Sequence, residues 1–132
     1  MSDSDFDAVY RLPAKLETAG LRWCLSSGER EANARNLPYT AARAVAYGLD
    51  RDAALRSITL NAARVLGVDQ ELGSLEKDKA ATLIVTDGDA LLVTTNVLHA
   101  FIDGREIDLS NKQTKLAEKY RTKYRQQQDS NR

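Results

Sequence analysis

The stretch that decides the fold reads AALRSITLNAARVLGV at residues 53–68, followed by ELGSLEKDKAATLIVTDGDAL at residues 71–91. In its first part, apolar residues recur at helical spacing. Asp50 precedes them as an N-cap whose negative charge suits the positive end of a helix dipole. Asn61 can cap a second short helix, and Gly67 stands where that helix needs a left-handed residue to end. This part therefore predicts two consecutive helices.

The second part of the stretch predicts a strand, and a hairpin follows it. A turn at residues 73–74 leads into ATLIV at residues 81–85, which is continuously apolar, as expected of a strand buried on both faces. The pair DG at residues 87–88 is a turn signal. Farther on, VLHAFIDGREIDL at residues 97–109 has two apolar segments around a second DG pair, which predicts a β-hairpin.

Two helices and one further strand are predicted before this stretch. Pro13 suits the first turn of a helix. LRWCL at residues 21–25 is nearly continuous in apolar character, which predicts a strand in the middle of a parallel sheet. A polar loop at residues 26–36 follows, and Pro38 begins the second helix. That helix has a face of small apolar side chains that would permit close packing against a sheet. They are Ala41, Ala42, Val45 and Ala46.

The last segment predicts a basic surface helix. Residues 110–113 have the form of a capping box, and Leu116, Tyr120 and Tyr124 follow at four-residue spacing. After Gln126 the polar sequence predicts a disordered tail. The helix carries one acid, and its basic residues are Lys112, Lys115, Lys119, Arg121, Lys123 and Arg125. Such a face could contact nucleic acid or lipid phosphates, but a solvated helix, or one docked on the acidic hairpin region, is favoured.

The composition is that of an ordinary globular protein. The 132 residues suffice for about one domain with a modest core. The formal net charge is zero, so no overall charge draws the chain to nucleic acid or to an anionic membrane. No apolar run approaches the roughly 18 residues of a transmembrane helix, and no signal peptide is evident. Cys24, the single cysteine, excludes an intrachain disulfide. We therefore expect a cytoplasmic protein that binds neither nucleic acid nor membrane.

The order of these signals resembles the C-terminal region of the amidohydrolase superfamily, especially its imidazolonepropionase-like and prolidase-like members. The family pattern runs A-L-x-x-x-T-x-N-P/A-A-R/K-x-L-G, then G-S-L/I-x-x-G-K-x-A-D-L-V/I-V/I, then V-x-x-V-F/W-x-x-G-K/R. The matching positions here are Ala54, Leu55, Thr59, Asn61, Ala63, Arg64, Leu66, Gly67, Gly73, Ser74, Leu75, Lys79, Ala81, Phe101, Gly104 and Arg105. The chain departs at Asp78, where the family usually has glycine, and at Thr82, where it usually has aspartate. The resemblance covers roughly residues 12–107.

The resemblance implies an α/β fold in three parts. Residues 1–72 would form the last βα elements of a (β/α)8 barrel, residues 73–110 part of the adjoining small β-sandwich, and residues 111–132 a C-terminal helix and tail. Because active sites of such barrels lie at the carboxyl ends of the strands, the loop after residues 21–25 would face the pocket. Its candidate pocket-facing residues are Ser26, Ser27, Gly28, Asn33, Arg35 and Asn36. The last three could instead cap the helix at Pro38, and the sequence leaves both roles open.

The metal site that the resemblance implies for the parent enzymes is not encoded in this chain. Those enzymes hold divalent ions, usually zinc, on an H-x-H of the first barrel strand, on later histidines and on an aspartate after the last strand. The metal activates water for attack on a carbonyl. This chain has one histidine, His99, outside those positions, and residues 26–28 read SSG where the aspartate would fall. We therefore expect no catalytic residue, metal ligand or cofactor in this chain.

Other potentially reactive residues have simpler interpretations. His99 alternates with Val97 and Phe101 on a predicted strand, which favours a packed or half-exposed position over a role as ligand. Cys24 lies in a predicted buried strand, which favours a small hydrophobic role over that of a nucleophile. Residues 26–28 lack the G-x-S-x-G pattern of a serine hydrolase.

The sequence thus predicts a C-terminal fragment of an amidohydrolase-like hydrolase that acts on carbon–nitrogen bonds, either non-peptide or dipeptide amides. The fragment would be inactive alone. The alternative is a non-catalytic interaction or oligomerisation module derived from the same fold. Because a strand at residues 21–25 would lack neighbours, we expect association with the missing N-terminal portion of the enzyme or with a second copy of the chain.

Overall fold

A computed structural model describes residues 5–28 and 31–130, with helices before a small sheet and one helix after it. The α-helices are α1 (Ala8–Thr18), α2 (Leu37–Ala46), α3 (Arg51–Ser57), α4 (Leu60–Leu66) and α5 (Lys112–Ser130), and a 3₁₀-helix (Glu31–Asn36) precedes α2. The strands are β1 (Leu83–Thr86), β2 (Val97–Ile102) and β3 (Arg105–Glu106). Helices with a small antiparallel sheet make this an α/β fold.

Helix α1 begins well before its proline. Pro13 lies inside the helix, so the prediction that it occupies the first turn is wrong. The first turn forms at Asp7, whose carbonyl accepts the N–H groups of Tyr10 and Arg11 at 3.0 and 3.1 Å. The Asp7 carboxylate also pairs with the Arg11 guanidinium at 2.8 Å. Pro13 is buried, and this packing offsets the hydrogen bond that its ring removes.

Helix α2 packs against α1 and α3, so the expectation that its small side chains face a sheet is wrong. Ala41 and Ala44 are buried, Ala42 and Val45 are half-buried, and Ala46 is exposed. The buried face of α2 therefore includes Ala44, which the prediction left out, and excludes Ala46. Small side chains on this face allow the helix axes to approach closely.

Helices α3 and α4 follow the predicted order. Asp50 caps α3, as predicted, with its Oδ1 accepting the N–H of Ala53 at 2.9 Å. Thr59, not Asn61, occupies the N-cap position of α4 and makes no side-chain capping bond, so the prediction for Asn61 is wrong. Gly67 ends α4 with a φ of +73°, which confirms the predicted left-handed residue.

One hydrophobic core joins the first three helices to a segment beyond them. Its buried members are Trp23, Ala41, Ala44, Leu49, Ala53, Ala54 and Leu91. The indole Nε1 of Trp23 donates to Glu17 Oε2 at 3.0 Å. Ser57 is fully buried, and its hydroxyl donates to the Ala54 carbonyl at 2.7 Å. The polar groups that enter this core are therefore hydrogen-bonded, as burial requires.

Residues 21–25 do not form a strand, which corrects the prediction of a central strand of a parallel sheet. Trp23 is buried but Leu21 is 57% exposed. The N–H of Leu25 donates to the Ser57 carbonyl at 3.1 Å, and that of Leu21 to Leu16. No backbone hydrogen bond joins residues 22–24 to another residue of the described ranges. A strand requires a neighbouring strand, and this segment has none here.

The sheet is antiparallel, in the order β1-β2-β3. Its register pairs Leu83 with Phe101 and Ile84 with Ala100, and β2 and β3 form the predicted hairpin. Ile84 is 53% exposed and Val85 is exposed as well. The prediction of a strand buried on both faces is therefore wrong for β1, because within residues 5–28 and 31–130 no second layer covers Ile84 and Val85.

The connection between β1 and β2 ties the sheet to the helices. Leu91 enters the helical core. Asp89 accepts from Arg51 at the start of α3, at 2.7 Å from Nε and 2.6 Å from Nη2. The predicted turn at residues 87–88 is part of this longer connection. Asp87 stabilises the connection by accepting the backbone N–H of Asn96 at 2.7 Å.

Helix α5 begins one residue later than the predicted capping box and extends farther. Asn111 and Thr114 form the reciprocal cap, with N–H to side-chain oxygen distances of 2.9 and 3.0 Å. Ser110 instead donates to Asp108. The helix continues to Ser130, so the prediction of disorder after Gln126 is wrong for residues 127–130. No helix within residues 5–28 and 31–130 has the length and apolar character needed to cross a membrane.

Candidate functional site

The predicted pocket loop is polar and mostly exposed. Ser26 and Gly28 are exposed and Ser27 is half-buried. Gly28 has a φ of +69°, and its N–H donates to Ser26 Oγ at 3.2 Å. This bond stabilises the turn that ends the 21–25 segment. Residues 29–30 of the loop lie outside the described residues.

The other three candidates lie on the 3₁₀-helix. Asn33, Arg35 and Asn36 are all exposed. Asn36 occupies the N-cap position of α2, but its side chain makes no capping bond. Its carbonyl accepts the Thr40 hydroxyl at 3.3 Å. The six candidate residues thus lie in two groups on either side of residues 29–30, and all of them except the half-buried Ser27 are exposed.

A groove of about 840 Å³ lies elsewhere, between α1, residues 20–23, α3 and α4. Its polar lining consists of Glu17, Arg22, Trp23, Arg56, Asn61, Arg64 and Asp69. The Arg56 guanidinium lies 3.8 Å from Glu17 Oε1, and the second oxygen of that carboxylate accepts the Trp23 indole. None of the six predicted loop residues lines this groove. Sequence reasoning missed it because its residues come from four separate segments that only packing brings together.

The side chains of the groove are suited to polar contacts. Guanidinium groups, here those of Arg22, Arg56 and Arg64, bind carboxylates and phosphates well. Carboxylates are present as well, at Glu17 and Asp69. The groove therefore offers groups of both charges to a polar ligand.

The described residues do not fit a divalent metal. Within residues 5–28 and 31–130, no three His, Cys, Asp or Glu side chains converge on a possible metal position, whereas a zinc site takes at least three. His99 is half-exposed and its Nδ1 lies 2.7 Å from Glu106 Oε1, next to the Phe101 ring. Cys24 is a half-buried free thiol. The His99–Glu106 pair joins β2 to β3 and supplies two potential ligands only.

Four carboxylates have pKa values held below their ordinary range. They are Glu76, Asp87, Asp89 and Asp108. The largest cause is a side-chain hydrogen bond, which comes from Ser74, Asn96, Arg51 and Ser110 respectively. A lowered pKa keeps each group ionised at neutral pH, the opposite of what a general acid requires. These carboxylates organise turns and the connection between sheet and helices.

Comparison with known proteins identifies the family. A sequence model of the amidohydrolase family matches residues 15–107, which is more than half of the chain. The chain belongs to the amidohydrolase family. The match runs from α1 through β3, so it includes both the helical core and the sheet.

Two individual proteins show the same relationship. Amidohydrolase tasK of Hapsidospora irregularis is 38% identical over 72 residues, which are 54% of this chain and 7% of that protein. The crystal structure of an amidohydrolase from Thermotoga maritima MSB8 matches with a TM-score of 0.71 and 29% identity, covering 75% of this chain and 26% of the other. The chain therefore spans about a quarter or less of the length of these relatives.

Proposed function

We propose that this chain supplies the C-terminal part of an amidohydrolase-type, metal-dependent hydrolase of carbon–nitrogen bonds, and that alone it does not hydrolyse them. The observation that carries the proposal is the family match over residues 15–107. The family explains the ancestry of the helical core and the sheet. The chain spans only a small share of each relative. In this proposal, the rest of such an enzyme comes from another polypeptide segment.

In this proposal, residues 1–72 correspond to the last βα elements of a barrel, residues 73–110 to part of a β-sandwich, and residues 111–132 to an appended helix. The backbone of residues 21–25 supports it. Residues 22–24 make no backbone hydrogen bond within the described ranges, so their N–H and C=O groups can pair with strands from the missing portion. The loop from Ser26 to Asn36 would then stand at the pocket end of a completed strand.

The metal and its ligands would belong to the missing portion. In the family, the metal activates a water molecule for attack on a carbonyl carbon. The residues described here do not converge on such a site, so this chain would provide support and part of the pocket wall. Cytoplasmic location accords with a single free cysteine.

The test uses the purified chain and elemental analysis. We expect no stoichiometric zinc, manganese or iron, and no hydrolysis of cyclic amides or dipeptides. Addition of a polypeptide carrying the upstream barrel strands with an H-x-H motif should produce metal binding, hydrolysis and a change in Trp23 emission. One tightly bound metal per chain together with amide hydrolysis by the chain alone would refute the proposal.

A second candidate, a non-catalytic interaction or oligomerisation module, is favoured by one observation. The sheet and α5 carry many exposed apolar side chains, among them Ile84, Leu98 and Tyr120 at 53%, 51% and 51% exposure. An in-frame H-x-H segment upstream in the genome would favour the enzyme fragment. Its absence, with an inactive mixture in the reconstitution test, would favour the module.

A further inference from the structure

The groove between α1, α3 and α4 adjoins a stretch of backbone whose hydrogen-bonding groups are unused. Arg22 and Trp23 line the groove, and residues 22–24 make no backbone hydrogen bond within the described ranges. The stretch is held at its end, because the N–H of Leu25 donates to the Ser57 carbonyl at 3.1 Å. Unpaired backbone groups of this kind template pairing with another extended chain.

The groove also contains guanidinium groups that lack bonding partners. Arg22 and Arg64 come from separate segments and are exposed. In the described part of the chain, neither makes a hydrogen bond or an ion pair within 4 Å. The pKa of Glu76 is lowered chiefly by a hydrogen bond from Ser74, and Arg64 is the smallest of the causes. The hydrogen-bond donors of both arginines therefore remain available to a ligand.

The carboxylates of the groove do not neutralise its basic side chains. Three guanidinium groups and two carboxylates line it. Of the carboxylates, Glu17 already accepts the Trp23 indole at 3.0 Å and lies 3.8 Å from the Arg56 guanidinium. The other is the half-buried Asp69. The groove thus carries an excess of positive charge, which favours an anionic occupant.

These two features together select an extended acidic polypeptide segment as the occupant. A free anion would pair with the guanidinium groups but would not use the backbone of residues 22–24. An added strand pairs through its own N–H and C=O groups, and every second side chain points to the same face. Carboxylates at those positions match the bidentate geometry of arginine. The groove volume of about 840 Å³ lies within the range of roughly 300–1,000 Å³ that is usual for ligand pockets.

We propose that the groove binds an extended acidic segment of the missing portion of the enzyme. The segment pairs with the backbone of residues 22–24 and directs alternate carboxylates to Arg22 and Arg64. This inference deepens the proposed function and rests on it for the source of the segment. It adds the place where the segment binds on this chain and the charge of its side chains.

The first test measures the binding of blocked synthetic peptides to the full chain by calorimetry. A peptide in which glutamate alternates with threonine should bind at least about tenfold more tightly than its glutamine counterpart, because charge-assisted hydrogen bonds are the stronger ones. A counterpart with N-methylated backbone amides keeps the carboxylates and should lose at least about tenfold as well. Equal affinity for the acidic peptide and either counterpart would overturn the proposal. Absence of binding by the acidic peptide at millimolar concentration would do the same.

Hydrogen exchange provides a separate measurement of the backbone pairing. The amides of Arg22, Trp23 and Cys24 donate to no backbone acceptor within the described ranges. Because strand pairing engages alternate residues along one edge, the acidic peptide should slow the exchange of at least one of these amides. The amide of Leu25, already bonded to Ser57, should change less. Unchanged exchange at all three amides would contradict the proposed pairing.

Matched variants locate the carboxylate contact. Arg22→Gln with Arg64→Gln should weaken binding of the acidic peptide at least about tenfold. Arg105→Gln with Arg125→Gln removes the same charge from β3 and α5, outside the groove, and should leave the affinity unchanged. Circular dichroism checks that each variant keeps its helices and sheet. Equal weakening by the two pairs would mean a non-specific charge effect and would contradict the proposal.

Two further outcomes separate this proposal from its alternatives. Inorganic phosphate that binds as tightly as the acidic peptide would assign the groove to a free oxyanion instead. If the upstream polypeptide restores hydrolysis, but Arg22→Gln with Arg64→Gln does not raise the amount of it that is needed, the docking proposal fails and the enzyme proposal stands. If the acidic peptide binds as expected but no reconstituted mixture hydrolyses amides, the hydrolase role fails while recognition of an acidic segment by the groove stands.

Discussion

The helical region and the sheet region of this chain differ in how they bury apolar surface. Between α1 and α4, Trp23 and a set of alanines close a core in which Ala41 and Ala54 are fully buried. The sheet buries Ala100 but leaves Leu98 and Ile102 more than half exposed.

The difference has a simple geometric cause. Helices bearing small side chains can approach one another and exclude water with few residues. A three-stranded sheet has two faces, and it needs a second layer to bury either of them. The helical region is thus stabilised by its own contacts, whereas Ile84, Leu98 and Ile102 of the sheet stay more than half exposed.

The largest expected effect is the loss of Trp23, which would test whether the helical core is self-sufficient. Trp23→Ala removes a buried indole and its bond to Glu17, and should lower the free energy of unfolding by about 3–5 kcal/mol. The control Leu98→Ala should cost less than about 1 kcal/mol, because that side chain is 51% exposed. Urea unfolding at high salt measures both free energies. Equal losses would show that the sheet contributes to stability as much as the helical core does.

The next effect concerns the junction of the two regions. Gly73 has a φ of +95°, and a Cβ there would lie 2.7 Å from Ala63 Cβ and 2.9 Å from Leu60 Cα. Gly73→Ala should therefore destabilise by about 3 kcal/mol, from overpacking and left-handed strain together.

Gly67 provides the matched control. It has a φ of +73° but nothing within 4 Å of the added Cβ, so Gly67→Ala should cost about 1 kcal/mol from backbone strain alone. Thermal or urea unfolding separates the two. If both variants lose the same free energy of unfolding, the close approach of Gly73 to α4 does not contribute to stability. The turn at Gly73 would then not stabilise the junction of the two regions.

A smaller, local effect is expected in α5. Asn111→Ala removes its N-terminal cap and should destabilise that helix by about 1 kcal/mol. The ellipticity at the helix minimum should fall, while the unfolding midpoint of the core stays unchanged. Ser110→Ala is the control, because the Ser110 hydroxyl donates to Asp108 rather than to the helix. A loss of helix with Ser110→Ala would place the cap where the sequence predicted it.

The smallest effect is a pH dependence of the link between the regions. The hydrogen bond from Arg51 holds the pKa of Asp89 below its ordinary value of 3.8. Because the folded pKa is the lower one, this stabilisation is present above the ordinary value and is lost as the pH falls through the folded value. Asp89→Asn should flatten this part of the melting-temperature profile between neutral pH and about pH 3. Arg51→Gln should reproduce that change, and an unaltered profile would show that the ion pair does not couple sheet and helices.

The candidate site divides into a part that the sequence could reach and a part that it could not. The candidate residues from Ser26 to Asn36 are close in sequence, and the exposure of five of the six is what a polar loop predicts. The groove between α1, α3 and α4 is different, because Glu17, Arg56 and Asp69 meet only after the helices pack. No local pattern encodes such a meeting.

The family motif is present in the sequence itself. Local chemistry determined the cap at Asp50, the end of α4 at Gly67 and the β2–β3 hairpin. In each case the controlling interaction lies within a few residues, where backbone preference and hydrogen bonding are set by residue type. Tertiary structure alone decided that residues 21–25 do not form a strand within the described ranges, that Ile84 and Val85 of β1 are exposed, and that residues 112–129 of α5 are exposed. Apolar residues specify that a surface should be buried, but what buries it depends on which other segments are present.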